Sequence, residues 1–90
     1  MLVLPNKLTH AQAGPCAHML AQALRSQSDS AVIADAGPLE QFDSSALAVL
    51  LECRREALAV GKSFSVSRLP PRLRELASLY GVAELLPATD

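Results

Sequence analysis

The sequence predicts a small α/β fold with a short, mostly parallel sheet and alternating helices packed mainly on one face. Three observations lead there. Short apolar runs at residues 2–4 and 31–34, and an apolar–polar alternation at 64–67, read as strands. Stretches with apolar residues at helical spacing follow each of them. The ninety residues hold no linker, internal repeat or low-complexity segment, so 1–90 reads as one domain.

Leu2, Val3 and Leu4 predict a short strand that Pro5-Asn6 ends or confines to a sheet edge, with Leu8 continuing the extended segment. Thr9 followed by Gln12 has the spacing of a capping box. Pro15 opposes a helix that starts so early, because inside a helix it removes a backbone hydrogen bond and kinks the first turns. An irregular turn is therefore expected first. The helix proper is expected from about Gly14 or Pro15 to Ser26, with Cys16, Met19, Leu20, Ala23 and Leu24 on its apolar face and Arg25 at the negative end of its dipole. Residues 31–34 (AVIA) predict a central strand buried on both faces and closed by Asp35. A loop over 36–42, marked by Gly37-Pro38, precedes the central helix.

That helix is expected from about Ser44 to Val60. Asp43, Ser44 and Ser45 stand where capping residues stand, and Leu47, Leu50, Leu51 and Leu58 form its stripe, interrupted by Arg54. Gly61 suits the left-handed position that ends a helix. Residues 64–67 alternate apolar and polar as a strand does. Pro71 fits the first position of a last helix, whose stripe is Leu73, Leu76, Ala77 and a core-anchored Tyr80, and Gly81 stops it. Val82, Leu85 and Leu86 make one further turn before Pro87 and a polar tail.

Composition narrows the function. Half of the residues are hydrophobic but only three are aromatic, so the core is built from Leu, Val and Ala and is of marginal size. A net charge of −1 with interspersed signs offers no basic stripe for nucleic acid. Cys16 and Cys53 are too few and too isolated for a disulfide framework or a zinc site, and they read as buried reduced thiols. Residues 1–4 are too short for a signal peptide and lack a basic leader, and no apolar run spans a membrane, so a soluble intracellular protein is expected.

No Gly-rich phosphate loop is present, His10 and His18 have no carboxylate between them, and neither Ser44 nor Ser45 sits in a GxSxG elbow. An enzyme is not expected, and neither a cofactor nor a metal. The remaining feature is FDSSAL at 42–47. Asp and Ser before a helix are explained by capping alone; the same polar, slightly electropositive helix start also serves recognition or accepts a phosphate. Arg54, Arg55, Arg68, Arg72 and Arg74 are exposed candidates for a partner, although a solvated face explains each of them as well.

FDSSALAVLLECRREA resembles the signature of the STAS domain, the fold of bacterial anti-anti-sigma factors: an apolar residue, Asp, Ser or Thr, Ser or Gly, Gly, Leu, then an apolar helix. Asp43, Ser44, Ser45, Ala46 and Leu47 occupy those places, with Ala46 where Gly is usual, a small-for-small change unless the turn needs positive φ. AVIAD before the signature and GKSFSV after it resemble the flanking strands. The opening edge strand of many members looks short or missing.

The resemblance implies an interaction domain and a partner-binding surface at Asp43, Ser44, Ser45 and Ala46. The short chain, the ending LASLYGVAELLP and Pro15 are similar to the MlaB-like branch. That branch implies a cytoplasmic subunit, peripheral to the inner membrane, that binds an ABC transporter ATPase subunit (MlaF-like) in a system maintaining outer-membrane lipid asymmetry; Ser44 would lie at the ATPase-facing surface. The other branch implies an anti-sigma factor antagonist that binds a serine-kinase anti-sigma factor and is phosphorylated on Ser45. Neither branch implies nucleic-acid binding. With no amphipathic membrane helix or acylation signal, insertion into the membrane is not expected either.

Overall fold

Alternation along the strands decides which side of the sheet carries the core. In the computed structural model, which describes residues 1–89, strands run over Leu2–Val3 (β1), Lys7–Leu8 (β2), Ala31–Asp35 (β3), Gln41–Phe42 (β4) and Ser63–Ser67 (β5). Helices run over His10–Ser26 (α1), Ser45–Ala59 (α2) and Pro71–Leu79 (α3), followed by a 3-10 turn at Ala83–Leu85. β1, β3 and β5 form a parallel sheet in that order, and β2 pairs with β4, also parallel. The register sets Leu2 beside Ala34, Ala34 beside Val66 and Val32 beside Phe64, so these five share one face. All five are buried, in one cluster with Leu20, Leu24, Leu47, Leu50 and Leu73 of the helices.

The opposite face is open. Val3 is 56% exposed, Ser63 is exposed, and Ile33, Ser65 and Ser67 are only half-buried. β3 is central, as predicted, but it is not buried on both faces, because the described helices pack their core residues against one side only.

The first helix starts earlier than the sequence suggests. It begins at His10 and carries Pro15 inside it. Thr9 donates to the Gln12 side-chain oxygen from its N–H (3.0 Å) and from its hydroxyl (2.7 Å), and the Gln12 N–H reaches the Thr9 carbonyl at 3.0 Å. This closed first turn offsets the bond that Pro15 withholds from Ala11. The buried face is Cys16, Leu20, Ala21 and Leu24; Met19 is 57% exposed. Ala21 replaces Met19 because α1 packs most extensively on α2, and a small side chain allows close approach there. Lys62 caps the far end of α1 by donating from Nζ to the carbonyls of Leu24 (2.7 Å) and Gln27.

In α2 the buried positions are Ala46, Leu47, Val49, Leu50, Cys53 and Ala57, whereas Leu58 is 49% exposed. The helix contacts α1, β5 and α3, so its covered face is wider than one stripe and centred about one residue earlier. Gly61 and Gly81 adopt φ +75° and +74°: the left-handed exit expected of Gly61 is also how Gly81 stops its helix. Pro71 opens α3, and Leu73 and Ala77 are buried.

Tyr80 is not a core anchor. It is 57% exposed, because the helix ends at Leu79 and Tyr80 already belongs to the turn into Gly81. The polar tail is also more than a tail. Ala88 bridges in parallel to Val66, with the Val66 N–H donating to the Pro87 carbonyl (2.8 Å) and the Thr89 N–H to the Val66 carbonyl (2.9 Å). This pairing covers the outer edge of β5 and leaves Leu86 buried beside it.

Candidate functional site

The Asn6 carbonyl accepts the N–H groups of Glu40 (2.8 Å) and Gln41 (3.0 Å), and the two-residue pairing of Lys7-Leu8 with Gln41-Phe42 follows directly. That small ladder brings the starts of α1 and α2 together. Asp43 joins them: one carboxylate oxygen accepts the Ser45 N–H at 2.8 Å and the other accepts the His10 N–H at 3.2 Å, so one side chain caps two helices. The Ser45 N–H does most to hold the Asp43 carboxyl below the usual carboxylate range; the Ser45 hydroxyl and His10 pull the same way, and partial burial opposes them.

This settles which residue caps. Ser44 occupies the N-cap position, yet its side chain makes no capping bond; its carbonyl accepts from Leu47 N at 3.1 Å. Its hydroxyl is left to solvent on an exposed residue, and Ser45 is half-buried. Ala46 is fully buried, so among the four grouped residues it contributes packing and no surface. Its backbone lies outside the left-handed region, and Ala therefore serves where Gly is usual.

A second constellation stands at the end of β3. Asp35 is 7% exposed and takes three charge-assisted bonds, from Gly37 N (2.9 Å), Arg68 Nε (3.0 Å) and Arg68 Nη2 (2.6 Å). The Arg68 side-chain bonds do most to lower the Asp35 pKa, with the Gly37 N–H next; burial opposes them, and the charge of Arg68 adds to the lowering. Arg68 has φ +56°, the one non-glycine residue in the left-handed region among those described. A Cβ on Gly37 would lie 2.4 Å from the Arg68 guanidinium carbon, so glycine leaves room for this pair. The Ala36 N–H to Ser67 carbonyl bond (2.8 Å) ties the same loop to β5. Sequence reasoning named Arg68 only as one exposed cation of five. The Asp35-to-Gly37 spacing is a local turn signal, but the arginine 33 residues further on carries none.

Both carboxyls titrate lower in the folded chain than in the unfolded one. Their contribution to stability is complete above the unfolded carboxylate range and is lost as pH falls through the folded values. Chemical unfolding followed from neutral pH down through the acid range should thus show Arg68→Ala, Gly37→Val and Asp43→Asn losing less stability on acidification than the parent chain. Identical slopes would mean that neither constellation holds in solution.

Cys53 is buried and its thiol is pushed up to about 12, mainly by that burial; burial also raises Cys16. Neither favours a thiolate nucleophile. His10 is exposed at the α1 start and His18 lines a groove with Arg25, Glu52 and Glu56. Among the described residues no group of three or more His, Cys, Asp or Glu is placed to hold a metal, and no helix is long and apolar enough to cross a membrane.

A family model described as "Mlab, STAS domain" matches residues 1–87. Among solved structures, an anti-sigma-factor antagonist (STAS) domain protein from Planctomyces limnophilus is similar at 18% identity, with a TM-score of 0.77 over 96% of this chain and 77% of that one. The unphosphorylated form of the anti-sigma factor antagonist SpoIIAA is similar at 19% identity, with a TM-score of 0.74 over 98% of this chain and 76% of that one. At these identities the likeness is one of fold. No curated protein matches the chain.

Proposed function

We propose that this chain, which belongs to the MlaB-type STAS domain family, works by binding and not by catalysis, as the accessory subunit that binds and stabilises or regulates the ATPase of an inner-membrane phospholipid ABC transporter. Such a transporter, of the Mla type, maintains outer-membrane lipid asymmetry, and the chain would meet the membrane only through the complex. The observation that carries this reading is the exposed Ser44 hydroxyl beside Asp43, on a helix start that needs no help from Ser44 to be capped. A polar group free of structural duty, mounted on rigid elements, presents a preorganised contact at little entropic cost. Recovery with an ABC ATPase, when the chain is purified from its own cells, is the expected result. Recovery with a serine-kinase anti-sigma factor alone would refute the reading.

The solved neighbours support a second reading, since both are anti-sigma factor antagonists. In that case Ser45 takes the phosphate. A phosphoserine there would bring roughly two negative charges next to Asp43, whose carboxylate already occupies the Ser45 N–H. Intact mass after incubation with ATP and the cognate kinase-type anti-sigma factor checks this: a gain of one phosphate, lost in Ser45→Ala, is the expected outcome under the switch, and an unchanged mass removes it.

A further inference from the structure

Arg72 stands in the first turn of α3, and its guanidinium carbon lies 5.4 Å from the centre of the Phe42 ring. Phe42 immediately precedes Asp43, so this cation is seated beside the two joined helix starts. Attraction to the ring face favours this position without neutralising the charge. The ion pairs among the described residues use Arg25, Arg55 and Arg68, each with a carboxylate of the same chain, and none includes Arg72. Asp43 and Asp35 are themselves engaged elsewhere, Asp43 by two backbone N–H groups and Asp35 by Arg68. Glu75, one turn along α3, is exposed and not within ion-pairing distance of Arg72. Arg72 is thus a positioned, exposed cation with its donors free of any carboxylate of the described chain.

We infer that Arg72 is the cationic part of the docking surface that includes Ser44, and that it takes a carboxylate of the partner protein in a two-pronged pair. This rests on the docking reading above. An arginine already held against a ring loses less freedom on binding than one that is not, and arginine is a frequent source of binding energy at interfaces. The bidentate geometry suits a planar carboxylate, which a lysine at the same place would meet only as a point charge.

The test is a titration of the purified chain against the purified ATPase subunit of its own transporter, at low and at raised salt, with thermal melts of every variant. Arg72→Glu is expected to weaken binding by about tenfold or more and Arg72→Ala by several-fold, with a shallower salt dependence than the parent chain. Arg72→Lys should fall between Arg72→Ala and the parent. Arg72→Gln keeps much of the stem and removes the charge; should Arg72→Glu melt early, its loss of binding is the one to read. Parent-like binding by Arg72→Gln and Arg72→Ala, alongside loss of binding in Ser44→Trp, overturns the role of Arg72 and leaves the docking reading standing. Absence of binding by the parent chain overturns both.

Discussion

Ser44→Trp is expected to abolish capture of the ATPase subunit while the melting temperature stays within about 4 °C of the parent chain. The fold tolerates the change because Ser44 is exposed and its side chain makes no bond to the helix it precedes. Asp43 does the capping, through the N–H groups of Ser45 and His10. A bulky ring at the contact would separate two surfaces that meet closely, a mismatch that small shifts cannot relieve. Ser44→Ala removes one hydroxyl without adding bulk, so its loss should lie between about twofold and tenfold, the range for one hydrogen bond. Pull-down with tagged ATPase, paired with a melt of the free chain, reads both quantities. Full capture by Ser44→Trp would put the interface elsewhere. Asp43 is a poorer probe, because its replacement unhooks α1 from α2 and confuses docking with folding.

Leu50→Ala should produce the largest loss of stability. Leu50 is fully buried on α2, in the cluster that joins the helices to the sheet. Truncation of such a leucine costs about 3–5 kcal/mol, part from lost transfer energy and part from the cavity. A chain of this size is stable by only about 5–13 kcal/mol, so roughly a quarter or more of its margin disappears. Each kcal/mol moves the midpoint of a small domain by about 4–8 °C, and a drop of at least about 12 °C is expected in a thermal melt. Binding of the native state alone returns about 2.7 kcal/mol when the partner is present at a hundred times its Kd. Saturating ATPase subunit should therefore recover most of a 3 kcal/mol loss in this variant and rescue nothing in Ser44→Trp. A Leu50→Ala chain that melts like the parent would mean that α2 is not held by this cluster.

Much of the architecture was legible because it is written in local patterns. β3 follows from an apolar run, β5 from alternation, α2 from its leucines, and both glycine exits from the residue that best tolerates positive φ. The STAS signature at 43–47 located the candidate rim for a similar reason: its polar residues are contiguous. Small residues were harder to read. Ala21, Ala46 and Ala57 are buried because neighbouring elements approach there, and alanine announces no such preference in a sequence. Met19, Leu58 and Tyr80 erred the other way, since periodicity marks apolar residues as core without knowing where a helix turns away or ends.

Residue order by itself determined the alternation of strands and helices, the parallel pairing it requires, and the run of hydroxyls at the front of α2. Tertiary structure decided what those hydroxyls are free to do. The pairing of Lys7-Leu8 with Gln41-Phe42 is too short to leave a period, yet it brings the His10 N–H to Asp43, whose other oxygen takes the Ser45 N–H and leaves Ser44 without a capping role. The seating of Arg68 on Asp35 and of Arg72 on Phe42 likewise joins residues about thirty positions apart. Contacts of that kind arise only when the chain closes on itself, because burial and charge pairing act through space while a sequence pattern reports only along the chain.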